Sequence, residues 1–458
     1  MSYVYTVNID KQYDYDVIVC GGGCAGFVAA IASARQGAKT VLLEKSQIIG
    51  GTLTAGLVGP FMTSFDGAGS RQIVKGIFDE FITRLEAENG AVHPSKTGDG
   101  SPYACYYKGN LKRHNNVAPV DSSKAQLVMI DMLKEAGVDF LINMDIIDVI
   151  MEENKITGVI VHDGSKLRIY RSKVTIDCTG DGLVSYKAGA ICNDSKDGSS
   201  NLQPMTTFFE IYNVDDAKVE DYAMSHPEES GMLYKSYIEK AMKETDYPIP
   251  RDKIGIYKKP GIDGEWKMNC TRMQGMNSLL PEDLTKAYEV GLRQIFFLMD
   301  FIRTLPGLEN ARLKEIASAI GIRETRRLDG VYTLQMEDLM DPPRKFDDSI
   351  AMGSFCFDLH PSKGTRAGIE ERPHPANCFQ IPYRIMVPVK VDGLLVAGRC
   401  VSASRDALSS IRVMPQAFAL GEAGGVAAAL CVKDNVEPRD VDIDKLRKTL
   451  VEQGAIIE

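Results

Sequence analysis

This sequence has fewer positively charged than negatively charged side chains. Its 458 residues carry 53 Lys and Arg against 62 Asp and Glu, which gives a net charge of −9 and a pI near 5.4. A protein whose main activity is to hold a nucleic-acid backbone needs a basic surface. We therefore expect no nucleic acid among the partners. The net charge does not decide whether the surface has a local basic patch.

Closely spaced metal ligands and long apolar runs are also missing. The ten cysteines contain no C-x-x-C pair, whereas zinc and iron–sulfur sites normally show close ligand spacing, so we predict no metal site. Many unpaired thiols suit a reducing compartment. The N-terminus lacks the basic segment and apolar core of a secretory signal, and no apolar run approaches the roughly 18 residues of a membrane span. We expect a cytoplasmic protein.

Among the features that are present, the stretch YDVIVCGGGCAGFVAAIASARQGAKTVLLEK (15–45) is the most informative. DVIVC is short, continuous and β-branched, which is typical of a buried parallel strand. Gly21, Gly23 and Gly26 then fit G-x-G-x-x-G at the start of an alanine-rich helical pattern. Glu44 ends the next apolar run, at the distance where a carboxylate takes ribose hydroxyls. This order predicts a dinucleotide site, with the phosphates on N–H groups of the helix N-terminus.

A glycine-rich turn that serves packing alone is the alternative. The glycine spacing is weak evidence by itself, but its place between a strand and a helix favours the nucleotide. The acid at Glu44 needs a free 2′-hydroxyl, which indicates FAD or NAD and not NADP.

The chain repeats the pattern of a buried strand and a small-residue helix near its end, in VDGLLVAG (391–398) and PQAFALGEAGGVAAALCV (415–432). The composition between 201 and 390 differs, with alternating strands and acidic surface helices. We therefore predict an α/β fold: a discontinuous Rossmann-like domain (1–200 and 391–458) and a second, mixed α/β substrate domain (201–390).

Four strand patterns precede the second domain, at 146–151, 156–162, 167–170 and 174–177. They predict an antiparallel ribbon that crosses one edge of the first sheet and leads into TIDCTGDG. A parallel strand that ends in a glycine turn lies at the sheet edge where ligands bind. Helical spacing is found at 72–88, 122–136 and 281–304.

Together these motifs resemble the FAD-dependent oxidoreductases of the glutathione-reductase-like flavoprotein superfamily, in the branch near the succinate dehydrogenase and fumarate reductase flavoproteins. The resemblance is carried by the stretch 15–45, GGTLTAG, DCTGDG, GIRETRRLDG and IPYRIMVPVKVDGLLVAGRCVSASRDALSSIRVMPQAFALGEAGGVAAA. These stretches span nearly the full chain. The resemblance implies that the dinucleotide is FAD.

The resemblance also implies which residues hold FAD. Those expected at the pyrophosphate and the adenosine are Gly21, Gly23, Gly26, Glu44, Thr179 and Gly180. Those expected along the cofactor towards the flavin are Lys45, Gly51, Thr52, Gly398 and Arg399. Arg399 departs from relatives that carry a Gly-Asp pair there, whose Asp binds a ribityl hydroxyl. Val413 and Met414 would place a helix N-terminus beneath flavin N1 and O2, where two-electron reduction builds negative charge.

Two further absences limit the reaction. The chain has no second strand–G-x-G-x-x-G–helix unit, so a built-in NAD(P)H domain is not expected. LGEAGGVAAA lies inside a helix pattern, where its glycines are interpreted as close-packing points. No redox pair of cysteines accompanies the motifs, which argues against disulfide reduction. The electron donor or acceptor and the oligomeric state stay open.

His360, in CFDLHPSKG, is our candidate for proton transfer; a structural histidine at a strand end is the equal alternative. Arg323 and Arg326 flank Glu324 in GIRETRRL. Such a cluster suits an anionic substrate or the flavin pyrimidine edge, and it equally suits a structural salt-bridge hub.

Tyr383 and Arg384, in IPYR, precede the return to the first domain, and Arg405, in SASRDAL, stands where relatives often carry His. A tyrosine there could donate a proton, although core packing is the commoner fate. We predict that these three side chains converge with His360 and the two cluster arginines on one pocket over the flavin.

The sequence thus predicts an FAD-dependent oxidoreductase that transfers a hydride to or from a small polar organic substrate, with an anionic substrate as an open variant. The alternatives are a flavin monooxygenase, and a flavin-bound electron-transfer or sensor subunit that acts with a partner protein. A tRNA-modifying flavoprotein is disfavoured by the acidic pI.

Overall fold

The computed structural model describes residue 9 and residues 11–109, 114–190, 192–193, 202–364 and 372–458. The predicted domain boundary between 200 and 201 lies outside the described residues.

The strands are β1 (Gln12–Asp14), β2 (Val17–Cys20), β3 (Thr40–Leu43), β4 (Asp139–Leu141), β5 (Asp145–Glu152), β6 (Lys155–His162), β7 (Leu167–Arg171), β8 (Val174–Asp177), β9 (Cys192–Asn193), β10 (Phe209–Tyr212), β11 (Gly255–Lys258), β12 (Trp266–Asn269), β13 (Arg312–Ile316), β14 (Arg327–Leu328), β15 (Ser349–Gly353), β16 (Phe379–Pro382) and β17 (Leu394–Val396). The helices are α1 (Cys24–Arg35), α2 (Ile77–Ala87), α3 (Ser122–Glu135), α4 (Leu183–Lys187), α5 (Asp216–Ser225), α6 (Lys235–Glu244), α7 (Pro281–Ile302), α8 (Arg405–Ile411), α9 (Met414–Asp434) and α10 (Ile443–Glu452).

A five-stranded parallel sheet, ordered β17-β8-β2-β3-β4, forms the centre of the fold. Its strands β2, β3, β8 and β17 are buried along their whole length, which explains their continuous apolar runs. Because β17 pairs with β8, the C-terminal part of the chain completes the sheet that the N-terminal part begins. The mixed α/β architecture with a Rossmann-like parallel sheet is therefore confirmed.

Helices α1 and α9 pack against each other at very short range. A Cβ atom on Gly421 would lie 2.2 Å from the carbonyl oxygen of Ala25, and one on Gly425 would lie 2.2 Å from that of Ala29. Only glycine permits this approach, so the interpretation of LGEAGGVAAA as a close-packing segment is confirmed. Helix α9 is also long and apolar enough to cross a membrane, which the sequence argument overlooked, but 89% of its most apolar window is buried inside the protein.

A second, four-stranded sheet, ordered β1-β7-β6-β5, contains the predicted ribbon. Strands β5, β6 and β7 pair antiparallel, as the sequence predicts. The fourth predicted strand, β8, instead belongs to the parallel sheet, and β1 adds to β7 in parallel. The ribbon therefore has three of the four expected strands.

A third sheet, ordered β11-β12-β10-β13, is antiparallel and packs with α5, α6 and α7 around its own core. Apart from Cys105 and Tyr106, the buried members of this core come from 209–311. Most buried apolar side chains between 328 and 387 pack instead with the main core of the parallel sheet. The three-part domain division stays a prediction.

Buried ion pairs join this third sheet to the start of α3. The Lys259 ammonium lies 2.7 Å from Glu210 and 3.1 Å from Asp121. Lys267 donates to the Ser122 hydroxyl over 2.8 Å. Burial lowers the pKa of Lys267 to about 8, although the charge of Glu210 opposes this. The contacts fix the third sheet beside the loop that contains Gly59 and Pro60.

One helix begins later than its apolar spacing predicts. Helix α2 starts at Ile77 because Gly76 has a φ of +65°, which ends any helix that would run from Gln72. A Cβ at Gly76 would also lie 2.4 Å from Oε2 of Glu422 on α9. The glycine is thus required by both its conformation and its neighbour.

Candidate functional site

A cavity of about 410 Å³ lies where the carboxyl ends of the parallel strands face the third sheet. All the residues expected at the cofactor except Gly26 line this cavity. The lining residues of that set are Gly21, Gly23, Glu44, Lys45, Gly51, Thr52, Thr179, Gly180, Gly398, Arg399, Val413 and Met414.

The exception, Gly26, has a packing role. A Cβ at Gly26 would lie 1.8 Å from the carbonyl oxygen of Gly21, so the helix and the strand touch through it. Gly21 has a φ of +99°, and its own Cβ would lie 2.6 Å from the Cys178 carbonyl oxygen. Gly23, at the N-terminus of α1, has nothing within 4 Å of its Cβ position. The turn therefore keeps one open glycine at a helix N-terminus, where a pyrophosphate fits.

Glu44 is held in a fixed orientation at the end of β3. Its Oε2 accepts the Gly22 N–H over 2.6 Å, and its Oε1 accepts the Ser46 N–H over 2.8 Å. The residue is 8% exposed. Each carboxylate oxygen keeps lone pairs for further donors, so the group can take ribose hydroxyls. The open glycine and this carboxylate together fit a dinucleotide.

The loop after β8 is held by Asp181 and Arg399. The Arg399 guanidinium donates to the Asp181 carboxylate over 2.5 Å and to Thr325 Oγ1 over 2.8 Å. Burial alone would raise the pKa of Asp181, but the charge and hydrogen bond of Arg399, with the Thr325 hydrogen bond and the Lys45 charge, together lower that pKa. A Cβ on Gly180 would lie 3.3 Å from Arg399 Nε. Arg399 thus lines the cavity with its charge already paired.

His360 lies at the opposite end of the cavity in one defined tautomer. Its Nδ1 accepts from Arg272 Nη2 over 3.1 Å, because a guanidinium can only donate. The remaining proton is therefore on Nε2, which lies 3.4 Å from Asp358 Oδ1. Burial lowers the pKa of His360 to about 3 against the attraction of Asp358. The imidazole is neutral at physiological pH.

Arginines surround this histidine. Arg251, Arg323 and Arg412 line the cavity, and Arg272 contacts His360. We call these four residues the arginine end. Arg412 pairs with Asp358, its Nη2 lying 2.9 Å from Oδ2. Burial would raise the pKa of Asp358, but His360, Arg412 and Arg323 hold it well below its usual range.

The expected convergence of six catalytic side chains is corrected by the geometry. His360 and Arg323 line the cavity, whereas Arg326, Arg405, Tyr383 and Arg384 do not. Arg326 stacks 4.3 Å above the Tyr186 ring and reaches the Asp181 carbonyl oxygen over 3.4 Å.

Arg405 and Glu324 belong to a buried structural network. Arg405 Nε lies 3.4 Å from Glu324 Oε1, and the Glu324 carboxylate also accepts the backbone N–H and the Nε2 of Gln203. Gln203 Oε1 in turn accepts the His360 N–H over 3.3 Å. The network supports the backbone that presents His360.

Tyr383 and Arg384 lie away from the cavity because their short 3₁₀ turn packs towards the C-terminal helices. The Tyr383 hydroxyl donates to the Pro438 carbonyl oxygen over 2.8 Å inside the core. Arg384 pairs with Asp348 over 2.9 Å at the surface. The prediction that these two side chains reach the pocket rested only on their position in the chain shortly before β17. The structure shows that this position does not bring them to the cavity.

Sequence reasoning missed Arg251, Arg272, Arg412 and Asp358. Asp358 and Arg412 stand inside quoted motifs, two residues before His360 and directly before Val413, and their side chains were given no role there. Arg251 and Arg272 precede β11 and follow β12, and no local motif marks them. Within the described residues, no group of three or more His, Cys, Asp or Glu could hold a metal ion.

Comparison with known proteins gives a family. A family model described as "FAD dependent oxidoreductase" matches residues 16–450. The tRNA uridine 5-carboxymethylaminomethyl modification enzyme MnmG of Alkaliphilus oremlandii is 31% identical over 184 residues, which are 38% of this chain and 27% of that protein. Digeranylgeranylglycerophospholipid reductase 1 of Methanococcoides burtonii is 26% identical over 183 residues, which are 38% of this chain and 39% of that protein.

The chain thus spans well under half the length of these curated relatives. Among solved structures, a geranylgeranyl bacteriochlorophyll reductase-like protein of Thermoplasma acidophilum covers 97% of this chain and 85% of its own at 16% identity, with a TM-score of 0.48.

Proposed function

The chain belongs to the FAD-dependent oxidoreductase family, and from that membership we propose that it transfers a hydride between FAD and a small polar organic substrate. FAD is its cofactor. The observation that carries the proposal is that the nucleotide residues and the His360–arginine end line the same cavity. A finer placement in the glutathione-reductase-like superfamily, and a cytoplasmic location, belong to the same proposal.

In this proposal the cofactor contacts follow the cavity. Gly23 and the α1 N-terminus hold the pyrophosphate, Glu44 holds the adenosine ribose, and the N-terminus of α9 at Val413 and Met414 faces the flavin. When bound, FAD accepts or gives the hydride. The helix dipole of α9 favours negative charge beside it by up to about 2 kcal/mol in a buried geometry.

Side chains of the protein transfer the proton that accompanies the hydride. His360 is neutral and its Nδ1 is occupied by Arg272, so it acts as a fixed Nε2–H donor and not as a base. We assign the proton transfer to Asp358, which His360 and Arg412 orient. A negatively charged substrate oxygen bound by Arg412 and Arg323 offsets their attraction for Asp358, which raises the pKa of that carboxyl.

An anaerobic half-reaction tests this function. Holoprotein reduced with dithionite is mixed with a panel of polar ketones, imines and conjugated acids, and oxidised holoprotein with the matching reduced compounds. We expect one class to change the flavin absorbance within seconds. Asp358→Asn should slow that step by about 10²-fold, while Arg293→Gln, a 78% exposed side chain on α7, should not.

The alternatives are separate arms of the same test. Reoxidation that requires oxygen and inserts it into the compound would indicate a monooxygenase. Flavin that exchanges electrons only with a protein fraction would indicate an electron-transfer subunit. Because one relative is named for tRNA modification, tRNA is included, and we expect no response to it from a chain with a net charge of −9.

A further inference from the structure

The arginine end has more positive charge than the described acids beside it balance. Its Arg251, Arg323 and Arg412 line the cavity, and among the described residues Asp358 is the carboxylate that lines the cavity beside them. The other acids of the cavity wall, Glu44, Asp145 and Asp181, are grouped with the nucleotide residues of β3, β5 and the β8 loop. The two ends of the cavity therefore differ in charge.

Three of the four guanidinium groups have only neutral acceptors among the described residues. Arg251 donates to Asn269 Oδ1 over 3.1 Å, and Arg272 to His360. Arg323 donates to the Pro204 carbonyl oxygen and to the Thr206 hydroxyl. Asp358 is already engaged by Arg412 and His360, so it cannot balance these three groups.

Buried donors are also left without partners. Arg251 is 4% exposed and Arg272 is 2% exposed. Within the described chain, Arg251 Nε, Arg272 Nη1 and Arg412 Nε are buried and make no hydrogen bond. Unpaired buried charge is costly, since several kcal/mol per ion are lost on desolvation. A site of this kind gains stability when an anion enters it.

The pKa directions agree with this geometry. Burial, followed by the charge of Arg251, lowers the pKa of Arg272 to about 9. Burial, followed by the charge of Arg412, lowers the pKa of Arg323 well below its usual range. Repulsion between the arginines is what an anionic ligand would relieve.

We infer that the arginine end binds an organic anion with at least two negative charges, carried by two carboxylates or by one phosphate. One carboxylate would balance only one of the three guanidinium groups that lack an acidic partner. Planar guanidinium groups suit both chemistries, because each can donate two parallel hydrogen bonds. The inference rests on the proposed function in one respect: the anion is taken to be the molecule that exchanges the hydride.

The test is an equilibrium titration of oxidised holoprotein at fixed ionic strength, followed by flavin absorbance and by thermal unfolding. The probes are succinate, inorganic phosphate, acetate and neutral succinamide. We expect succinate or phosphate to bind at least about tenfold more tightly than acetate, since each makes a charged hydrogen bond to a second guanidinium group that acetate leaves unpaired. Tighter binding of succinate indicates a dicarboxylate, and tighter binding of phosphate indicates a phosphoryl group.

Variants connect the binding to the arginines. Arg251→Gln and Arg323→Gln should each weaken the preferred dianion by about tenfold or more, and Arg251→Lys should recover part of the loss. Arg293→Gln is the exposed control. If Arg251→Gln does not fold, Arg323→Gln and the Lys variant carry the test. Equal binding of acetate and succinate, or unchanged binding in the glutamine variants, overturns the inference.

The two proposals fail differently. If a dianion binds through the arginines but is never oxidised or reduced, the anion site is supported and the proposed hydride transfer is wrong. Turnover of a neutral compound with no preference for dianions does the reverse.

Discussion

The two ends of the cavity are built in different ways. The nucleotide end is built mainly from backbone: an open glycine, a helix N-terminus and two N–H groups that hold the Glu44 carboxylate. The arginine end consists of long side chains from separate segments, and their charges exceed that of Asp358, the acid that lines the cavity beside them among the described residues. The first end is complete in the protein alone, whereas the second needs a ligand to balance it. Substitutions should therefore act mainly through shape at one end and through charge at the other.

The largest effect should come from closing the contact at Gly26. In Gly26→Val the first side-chain carbon would lie 1.8 Å from the Gly21 carbonyl oxygen. The helix must separate from the strand, so we expect a loss of more than about 3 kcal/mol in stability and no retained FAD. Flavin content and the denaturant midpoint measure this. A yellow, stable variant would contradict the packing role.

A smaller and more specific effect is expected at Gly23. Its φ of −72° suits any residue, and its Cβ position has nothing within 4 Å. Gly23→Ala should leave the apoprotein's melting temperature unchanged while raising the dissociation constant of FAD by about tenfold, or 1.4 kcal/mol. Equal losses in the apo and FAD-bound forms would show that the space is structural.

The same contrast explains what could be predicted from sequence. The nucleotide end is coded by neighbours in the chain: DVIVC, the three glycines and Glu44 lie within 30 residues, so their spacing specifies the local geometry. The arginine end combines Arg251, Arg272, Arg323 and Arg412, which share no motif and come from segments that are far apart in the chain. A pattern of local periodicity cannot show such a meeting.

The pH dependence of stability tests whether His360, at the arginine end, is neutral in the folded protein. Its pKa is lowered from 6.5 to about 3, so between these values the unfolded chain binds a proton that the folded chain does not. Stability must therefore fall as the pH falls below 6.5, by up to about 1.4 kcal/mol per pH unit. Urea unfolding at pH 7.5 and 5 should show a steeper loss for the wild type than for His360→Asn.

The control for that measurement is His162→Asn, because His162 is exposed at the end of β6. It should follow the wild type at both pH values. If His360→Asn loses as much stability as the wild type on acidification, the pKa of His360 is the same in the folded and unfolded chains, and the lowering of that pKa by burial is wrong.

The smallest effect should come from Tyr383, which the sequence placed in the pocket and the structure places in the core. Its hydroxyl makes one hydrogen bond, to the Pro438 carbonyl oxygen over 2.8 Å, and burial raises its pKa well above the usual value. Tyr383→Phe keeps the ring and removes that bond, so we expect a loss of about 1 kcal/mol in stability. FAD affinity, dianion binding and turnover should stay at wild-type values, in contrast to Arg323→Gln. A fall in turnover without a fall in stability would return Tyr383 to the reaction and would mean that the cavity closes around it during the catalytic cycle.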